Sequence, residues 1–357
     1  MPILPLHGHD PLRERLAALA DAGRLPASLL LSGPRGVGKQ RLALWLGQRL
    51  LCAGGPPRPC DACQPCRYAR ALTHPDLHWY FPRPRLKDAD AAPADAVQDN
   101  GEAAAERAAA GGVYAAPSGS DGIFVVTVRA IVQQACLAPA MARRKVFVVG
   151  DAERMVPQEG AEQAANAFLK LLEEPPADTT IVLTSSEPGA LLPTVRSRVV
   201  SLRVPPLADD VVRRVLAEPA FAAALAGERG VPRAADERVR LAAGAPGTLL
   251  GSGERGAARE SARRLLEAAQ AGREQRMRAA FVQGSAGARG AFSDTLDELT
   301  VLLRDRARDA ARRGDERAAV GASRAVARVE RAKSLASGNV SPNLVAAELL
   351  RELAESL

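Results

Sequence analysis

Two clusters of residues in this chain have types and spacings that do chemistry. The first is GPRGVGKQ at 33–40. A phosphate-binding loop follows G-x-x-x-x-G-K-[ST], and Gly33, Gly36, Gly38 and Lys39 supply its glycines and its lysine. Backbone N–H groups of such a loop, together with the start of the next helix, form an anion site, and the lysine reaches the β- and γ-phosphates. The last position calls for a hydroxyl that ligates magnesium. Gln40 stands there instead, with a longer neutral amide that fits that geometry poorly. The second cluster is Cys52, Cys60, Cys63 and Cys66, with seven, two and two residues between them. Four thiolates so grouped suit tetrahedral Zn²⁺ in a closed structural site with no open catalytic position. An iron–sulfur cluster is the chemical rival and free thiols the plain alternative. His74 and His78 lie nearby but are not needed to complete a tetrahedron, and they read as ordinary polar residues. Cys136, alone in an apolar stretch, reads as a packed core thiol.

A working nucleotide site also needs an acidic strand end, with one acid for the metal and one to polarise water. Here VFVVGDAER puts Gly150 directly after the apolar run, then Asp151. Asp151 is either the metal-side acid or the base, with Gly150 at the metal position in the second case. On both alignments the adjacent acidic pair is missing. With Gln40, this argues against hydrolysis, while the loop itself leaves room for nucleotide held without turnover. Arg196 and Arg198 in TVRSRV read, on composition alone, as surface arginines forming weak ion pairs.

Elements must position these residues. Residues 10–23 form an amphipathic helix, with Leu12, Leu16 and Leu19 at helical spacing. ASLLLSG is a short apolar strand entering the glycine loop, and KQRLALWLGQRLLC is the helix leaving it, the context a phosphate loop requires. Val146–Val149, TTIVLTSSEP and the end of LLPTVRSRVVSLRV are further strands, and AANAFLKLLEEPP is a helix stopped by Pro175 and Pro176. Strands alternating with helices imply a parallel α/β sheet flanked by helices. The stretch 83–122 is rich in Ala, Asp, Glu and Gly and reads as a flexible surface insertion. After VPPL at 204–207 the strand signals stop. The expected division is an α/β domain at 1–205, a small helical lid at 206–252 and an all-helical domain at 253–357.

The chain has 357 residues, 47% hydrophobic, 25% charged and 3% aromatic, which indicates a folded protein of two or three domains. The net charge of +7 permits nucleic-acid contact. However, the basic residues lie in sign-mixed stretches such as RVERAK rather than in one stripe, which counts against a stand-alone nucleic-acid-binding zinc protein. No apolar run approaches the roughly 20 residues of a membrane span, and the start lacks the design of a signal peptide. The expected location is therefore cytoplasmic, with no membrane partner. In a reducing compartment the cysteine cluster points to metal rather than disulfides.

Taken together, RLPASLLLSGPRGVGK, the four-cysteine module, HPDLHW, ANAFLKLLEEPP, LLPTVRSR and NVSPNLVAAELL resemble, in order, the AAA+ clamp-loader family of bacterial DNA polymerase III. The resemblance covers nearly the whole chain, and ANAFLKLLEEPP is its most specific part. It implies an AAA+ module with a helical lid and a helical collar that joins five subunits in a ring. It further implies partnership with gamma/tau and delta subunits and, through the complex, with the sliding clamp and primed DNA. The subunit type it points to hydrolyses no ATP and donates an arginine to a neighbour's ATP site; the alternative is the ATP-hydrolysing gamma/tau type. Ser197, Arg198 and Val199 stand where that family carries Ser-Arg-Cys, so the resemblance implies Arg198 as the finger and Arg196 as the weaker candidate. Near GAPGTLL, where active members carry a lid arginine, Gly247 and Thr248 stand instead, a third and separate departure from a working site.

Overall fold

A computed structural model describes the chain except residues 1, 87, 89–90, 116, 118–120, 156–161, 229–230, 283–288, 338–339 and 357. The described residues form two compact units divided after Leu250. In the first unit the elements run α1 (Asp10–Asp21), β1 (Ser28–Ser32), α2 (Lys39–Leu51), α3 (Gln64–Ala71), β2 (Leu77–Tyr80), α4 (Pro93–Ala109), α5 (Val125–Cys136), β3 (Lys145–Val149), α6 (Glu162–Glu173), β4 (Thr179–Ser185), α7 (Pro193–Arg196) and β5 (Val200–Arg203). Three short helices follow, α8 (Asp209–Ala217), α9 (Pro219–Ala226) and α10 (Ala235–Ala242).

The five strands make one parallel sheet in the order β2-β3-β4-β1-β5. Helices cover both faces, as a parallel sheet requires. In β3 the period-two alternation sends Val146 and Val148 into one core, with α2 residues Leu42 and Leu46, and Phe147 and Val149 into the other, with Ile131, Phe168 and Leu172. β1 divides in the same way, with Leu29 and Leu31 on one side and Leu30 on the other. β1 lies between β4 and β5, so the loop leaving its carboxyl end opens among the ends of β3, β4 and β5. That is where ligands bind in open α/β sheets.

The sequence pattern yields four of the five strands. β2, four residues reading LHWY, is too short and too mixed in polarity to announce itself, and it pairs with β3 with Trp79 opposite Val148. Cys136 is also corrected: it is exposed at the end of α5, one position past the buried stripe of Val128, Ile131 and Ala135.

The larger correction concerns 83–122. This segment holds the 17-residue helix α4, begun by Pro93 and by an Asp95 carboxylate that accepts the Ala92 N–H at 2.8 Å. Ala96, Asn100 and Ala103 form its buried stripe. Asn100 Nδ2 donates to the Trp79 carbonyl at 2.7 Å, and Arg83 pairs with Asp99. Arg107 lies over three rings, 3.3 Å from the centroid of Phe81, 3.9 Å from Tyr114 and 4.9 Å from Trp79. Burial lowers its pKa to about 10. Just beyond, the Gly111 carbonyl accepts the Leu4 N–H at 2.7 Å, and Val113 enters the core of the α8–α10 helices beside Val212, Val215 and Phe221. Residues 93–113 therefore pack against the sheet, the residues around Leu4 and the small helices at once, while part of the expected insertion, at 87, 89–90, 116 and 118–120, lies outside the described residues.

The second unit contains α11 (Ser252–Gln270), α12 (Arg273–Phe281), α13 (Arg289–Arg312), α14 (Glu316–Ser337) and α15 (Pro342–Ala354). Leu265, Phe292, Leu296, Leu299, Val329, Leu349 and Leu353 form its core. α13 and α14 join through Gly314, whose φ of +76° is the left-handed conformation that glycine adopts without strain.

Two outcomes are expected. Arg107→Ala lowers stability by about 2 kcal/mol or more in urea unfolding, because a desolvated cation–π contact and a packed stem are lost together. His78, stacked on Phe147 with centroids 4.6 Å apart, has its pKa lowered by burial from 6.5 to about 4. The unfolded chain thus binds the proton first, and stability present above pH about 6.5 is lost as pH falls towards 4. The contribution is on the order of 3 kcal/mol, and His78→Phe flattens that part of the pH profile.

Candidate nucleotide-site remnant and cysteine cluster

The glycine loop has the conformation expected of a phosphate loop. Gly36 and Gly38 take φ of +77° and +98°, and α2 starts directly at Lys39. Its lysine, however, is internally satisfied. Lys39 Nζ donates to the Gly33 carbonyl at 3.0 Å, the Pro34 carbonyl at 2.9 Å and Ser186 Oγ at 2.8 Å, which uses all three of its N–H groups. The side chain is buried, and that burial lowers its pKa. An incoming phosphate would have to displace these partners.

Gln40 is buried beside it. Trp79 Nε1 donates to Gln40 Oε1 at 2.9 Å, and Gln40 Nε2 donates to Asp151 Oδ2 at 3.0 Å. The amide thus links three elements: β2, the start of α2 and the end of β3. Gly150 faces it directly. A Cβ added at 150 would lie 2.5 Å from Gln40 Cδ and 2.6 Å from Nε2, and would also collide with Oε1. Residue 150 is therefore the one whose side-chain position faces residue 40. Asp151, at φ +47°, turns out of the strand; its N–H is held by Thr184 Oγ1 at 3.1 Å and one of its carboxylate oxygens by Gln40. Glu153, on the turn Ala152–Arg154, accepts the Ser186 N–H at 2.8 Å. Burial raises its pKa, and the neighbouring charge of Asp151 adds to that. Among these residues, sequence reasoning missed Trp79, Thr184, Ser186 and Glu153. Trp79 lies in HPDLHW, and Thr184 and Ser186 end the TTIVLTSS strand; those runs were the available signals.

The turn Pro246–Leu249 lies directly on the loop. Gly247 N–H donates to the Gly36 carbonyl at 3.0 Å, and a Cβ on Gly36 would come within 2.5 Å of the Thr248 nitrogen. Gly247 and Thr248 thus meet the loop through backbone and offer it no cation. From the other side, His9 Nε2 is hydrogen-bonded to the Val37 carbonyl at 3.0 Å.

Arg198 lies just past α7. Its Nε donates to Glu173 Oε2 at 3.0 Å and its Nη1 to the Thr194 carbonyl at 3.0 Å, and the side chain is part-exposed. Arg196 is exposed and makes no ion pair among the described residues.

The four cysteines converge. Their sulfurs all lie within 4.8 Å of one another, with Cys52–Cys63 at 3.9 Å and Cys60–Cys66 at 4.0 Å. A tetrahedron with Zn–S of about 2.3 Å places sulfurs about 3.8 Å apart, so the donor set fits a metal such as zinc. Backbone N–H groups already point at the sulfurs: Cys63 N donates to Cys60 Sγ and Cys60 N to Cys52 Sγ, both at 3.4 Å. The Cys63 amide, with that of Ala62, lowers the Cys60 pKa to about 6, which favours the thiolate a metal binds. Gly54 lies against the cluster, where a Cβ would fall 2.7 Å from Cys60 Sγ. His74 and His78 stay outside it: His74 Nδ1 accepts the Asp76 N–H at 3.0 Å, and His78 stacks on Phe147.

With this geometry in place, the comparisons with known proteins are specific. The family model described as "DNA polymerase III, delta subunit" matches residues 8–208, more than half of the chain. The delta' subunit of DNA polymerase III from Escherichia coli is 32% identical over 186 residues, 52% of this chain and 44% of that protein. The gamma/tau subunit from Mycobacterium bovis is 31% identical over 192 residues, 54% of this chain and 26% of that protein. The matched region thus spans less than half of each relative. A solved DNA polymerase III gamma subunit-related protein from Thermotoga maritima aligns over 96% of this chain and 99% of that one, at 17% identity and a TM-score of 0.36. With a parallel five-stranded sheet, a glycine loop of phosphate-binding shape and this family match, the chain belongs to the DNA polymerase III delta-subunit family.

Proposed function

We propose that this chain is a non-hydrolysing member of a clamp-loader ring, which supports ATP-driven loading of a sliding clamp onto primed DNA without turning over ATP itself. The observation that carries this reading is Gln40 at the magnesium-ligand position, its carboxamide accepting from Trp79 and donating to Asp151. The gamma/tau type is the second reading, favoured by the similarity to the M. bovis protein. The Gln40 amide in place of a hydroxyl weighs against it. In this reading the residues before 206 act as the AAA+ base, 206–252 as its lid and 253–357 as the collar that meets gamma/tau and delta subunits. Clamp and DNA are reached through the complex. No described helix is long and apolar enough to cross a membrane.

Arg198 is the proposed arginine finger for the neighbouring ATP. Its support is its position past a short helix at the sheet's rim, with a part-exposed guanidinium that Glu173 and the Thr194 carbonyl orient. Reaching a neighbour's phosphates requires it to leave Glu173, an exposed pairing that costs little to break.

The cysteine cluster is proposed to hold one structural Zn²⁺ on Cys52, Cys60, Cys63 and Cys66. A closed four-thiolate site leaves no position for substrate, so the ion would organise the segment between α2 and α3.

Three measurements test these assignments. The isolated chain shows no ATP turnover; hydrolysis abolished by Lys39→Ala would sink the reading. In a complex reconstituted with gamma/tau and delta subunits, clamp and primed DNA, Arg198→Ala slows the site it serves by roughly 10³–10⁵ if it acts as fingers do elsewhere. The summed turnover falls by less, because the other sites persist, and Arg196→Ala leaves it unchanged. Elemental analysis finds about one zinc per chain, and a strong chelator lowers the thermal midpoint; iron in place of zinc would overturn the assignment.

A further inference from the structure

We propose that Gln40 and Gly150 form an interlock, in which the Gln40 carboxamide takes the place of a divalent cation as the bridge between the start of α2 and the end of β3. The proposal rests on the non-hydrolysing reading and goes beyond it. It makes two apparent losses a single steric unit, and it assigns the amide a positioning role.

The amide is anchored at both ends. Trp79 N–H fixes its oxygen and Asp151 Oδ2 takes its nitrogen. The anchors are themselves held. The Trp79 backbone carbonyl accepts from Asn100, and Arg107 lies over its ring. Asp151 is placed by its left-handed turn and by Thr184. A carboxamide at the end of a free side chain would swing aside for a Cβ at position 150; one held by buried Trp79 on one side and part-buried Asp151 on the other is kept in place. Any side chain at 150 therefore meets all three amide atoms at 2.6 Å or less, well inside contact distance. A magnesium ion in the same volume would have to expel the amide and leave the Trp79 N–H without its partner in a buried site, which is costly. The interlock thus excludes the divalent cation even where the loop admits phosphate, and it keeps the loop and sheet in register with no nucleotide bound.

The test is a double-mutant cycle on the full chain, read by equilibrium urea unfolding. Gly150→Ala alone overpacks the site and lowers the folding constant about tenfold or more. In a Gln40→Ala background the same substitution has room, and it leaves the constant unchanged or raises it a few-fold by restricting the unfolded chain. Equal losses in both backgrounds overturn the interlock. Should Gly150→Ala fail to fold, a folded double variant supports the interlock and an unfolded one overturns it. A second readout uses ATP as probe, with Mg²⁺ or with EDTA. The wild-type chain shows equal affinity in the two, or none, and Mg²⁺-strengthened binding would overturn the cation exclusion. An additive cycle in a chain without ATP turnover removes the interlock alone, whereas turnover alongside a coupled cycle removes the non-hydrolysing reading alone.

Discussion

The two hydrogen bonds of the Gln40 carboxamide, to Trp79 and to Asp151, are the contacts around which the candidate nucleotide site is arranged. They join β2, α2 and β3 where the sheet's carboxyl ends converge. Around them the neighbouring residues follow by elimination. A Cβ at position 150 would collide with the amide where it now lies. Asp151 turns aside to receive the amide, and Lys39 donates to the loop carbonyls and Ser186. The site has the shape of a phosphate loop and the internal bonding of a closed core.

That closure is reinforced from two directions. Gly247 lays its backbone on Gly36, bringing the small helical cluster against the loop. From the other side α4 packs on Trp79 through Asn100 and Arg107, and the residues that follow send Val113 into the core of α8–α10. The α/β layer and the small helices therefore share hydrophobic contacts beyond the loop alone. Arg198 lies just past α7, and the cysteine cluster runs from the end of α2 into α3.

Much of this was legible in the amino-acid order. Apolar runs bounded by turns marked four strands, and the strand–loop–helix context marked the phosphate loop, because a parallel sheet buried on both faces demands continuous apolar strands. The cysteine spacing marked a metal-type cluster, since ligands so close in sequence must be close in space. Gln40, Gly150 and Thr248 stood out as the wrong residues for catalysis. The family resemblance drawn from ANAFLKLLEEPP and its neighbours agrees with the family match.

Other features only the tertiary structure decided. β2 is four residues long and acquires its identity from pairing with β3, a contact far away in sequence. α4 looked like a loose Ala- and Asp-rich insertion because alanine carries almost no hydrophobic signal, and its stability comes from a ring cage that its own sequence does not contain. Above all, the residue order showed Gln40 and Gly150 as two separate departures, 110 positions apart. Their contact makes them one, because excluded volume acts between neighbours in space, and only the folded sheet makes those two residues neighbours.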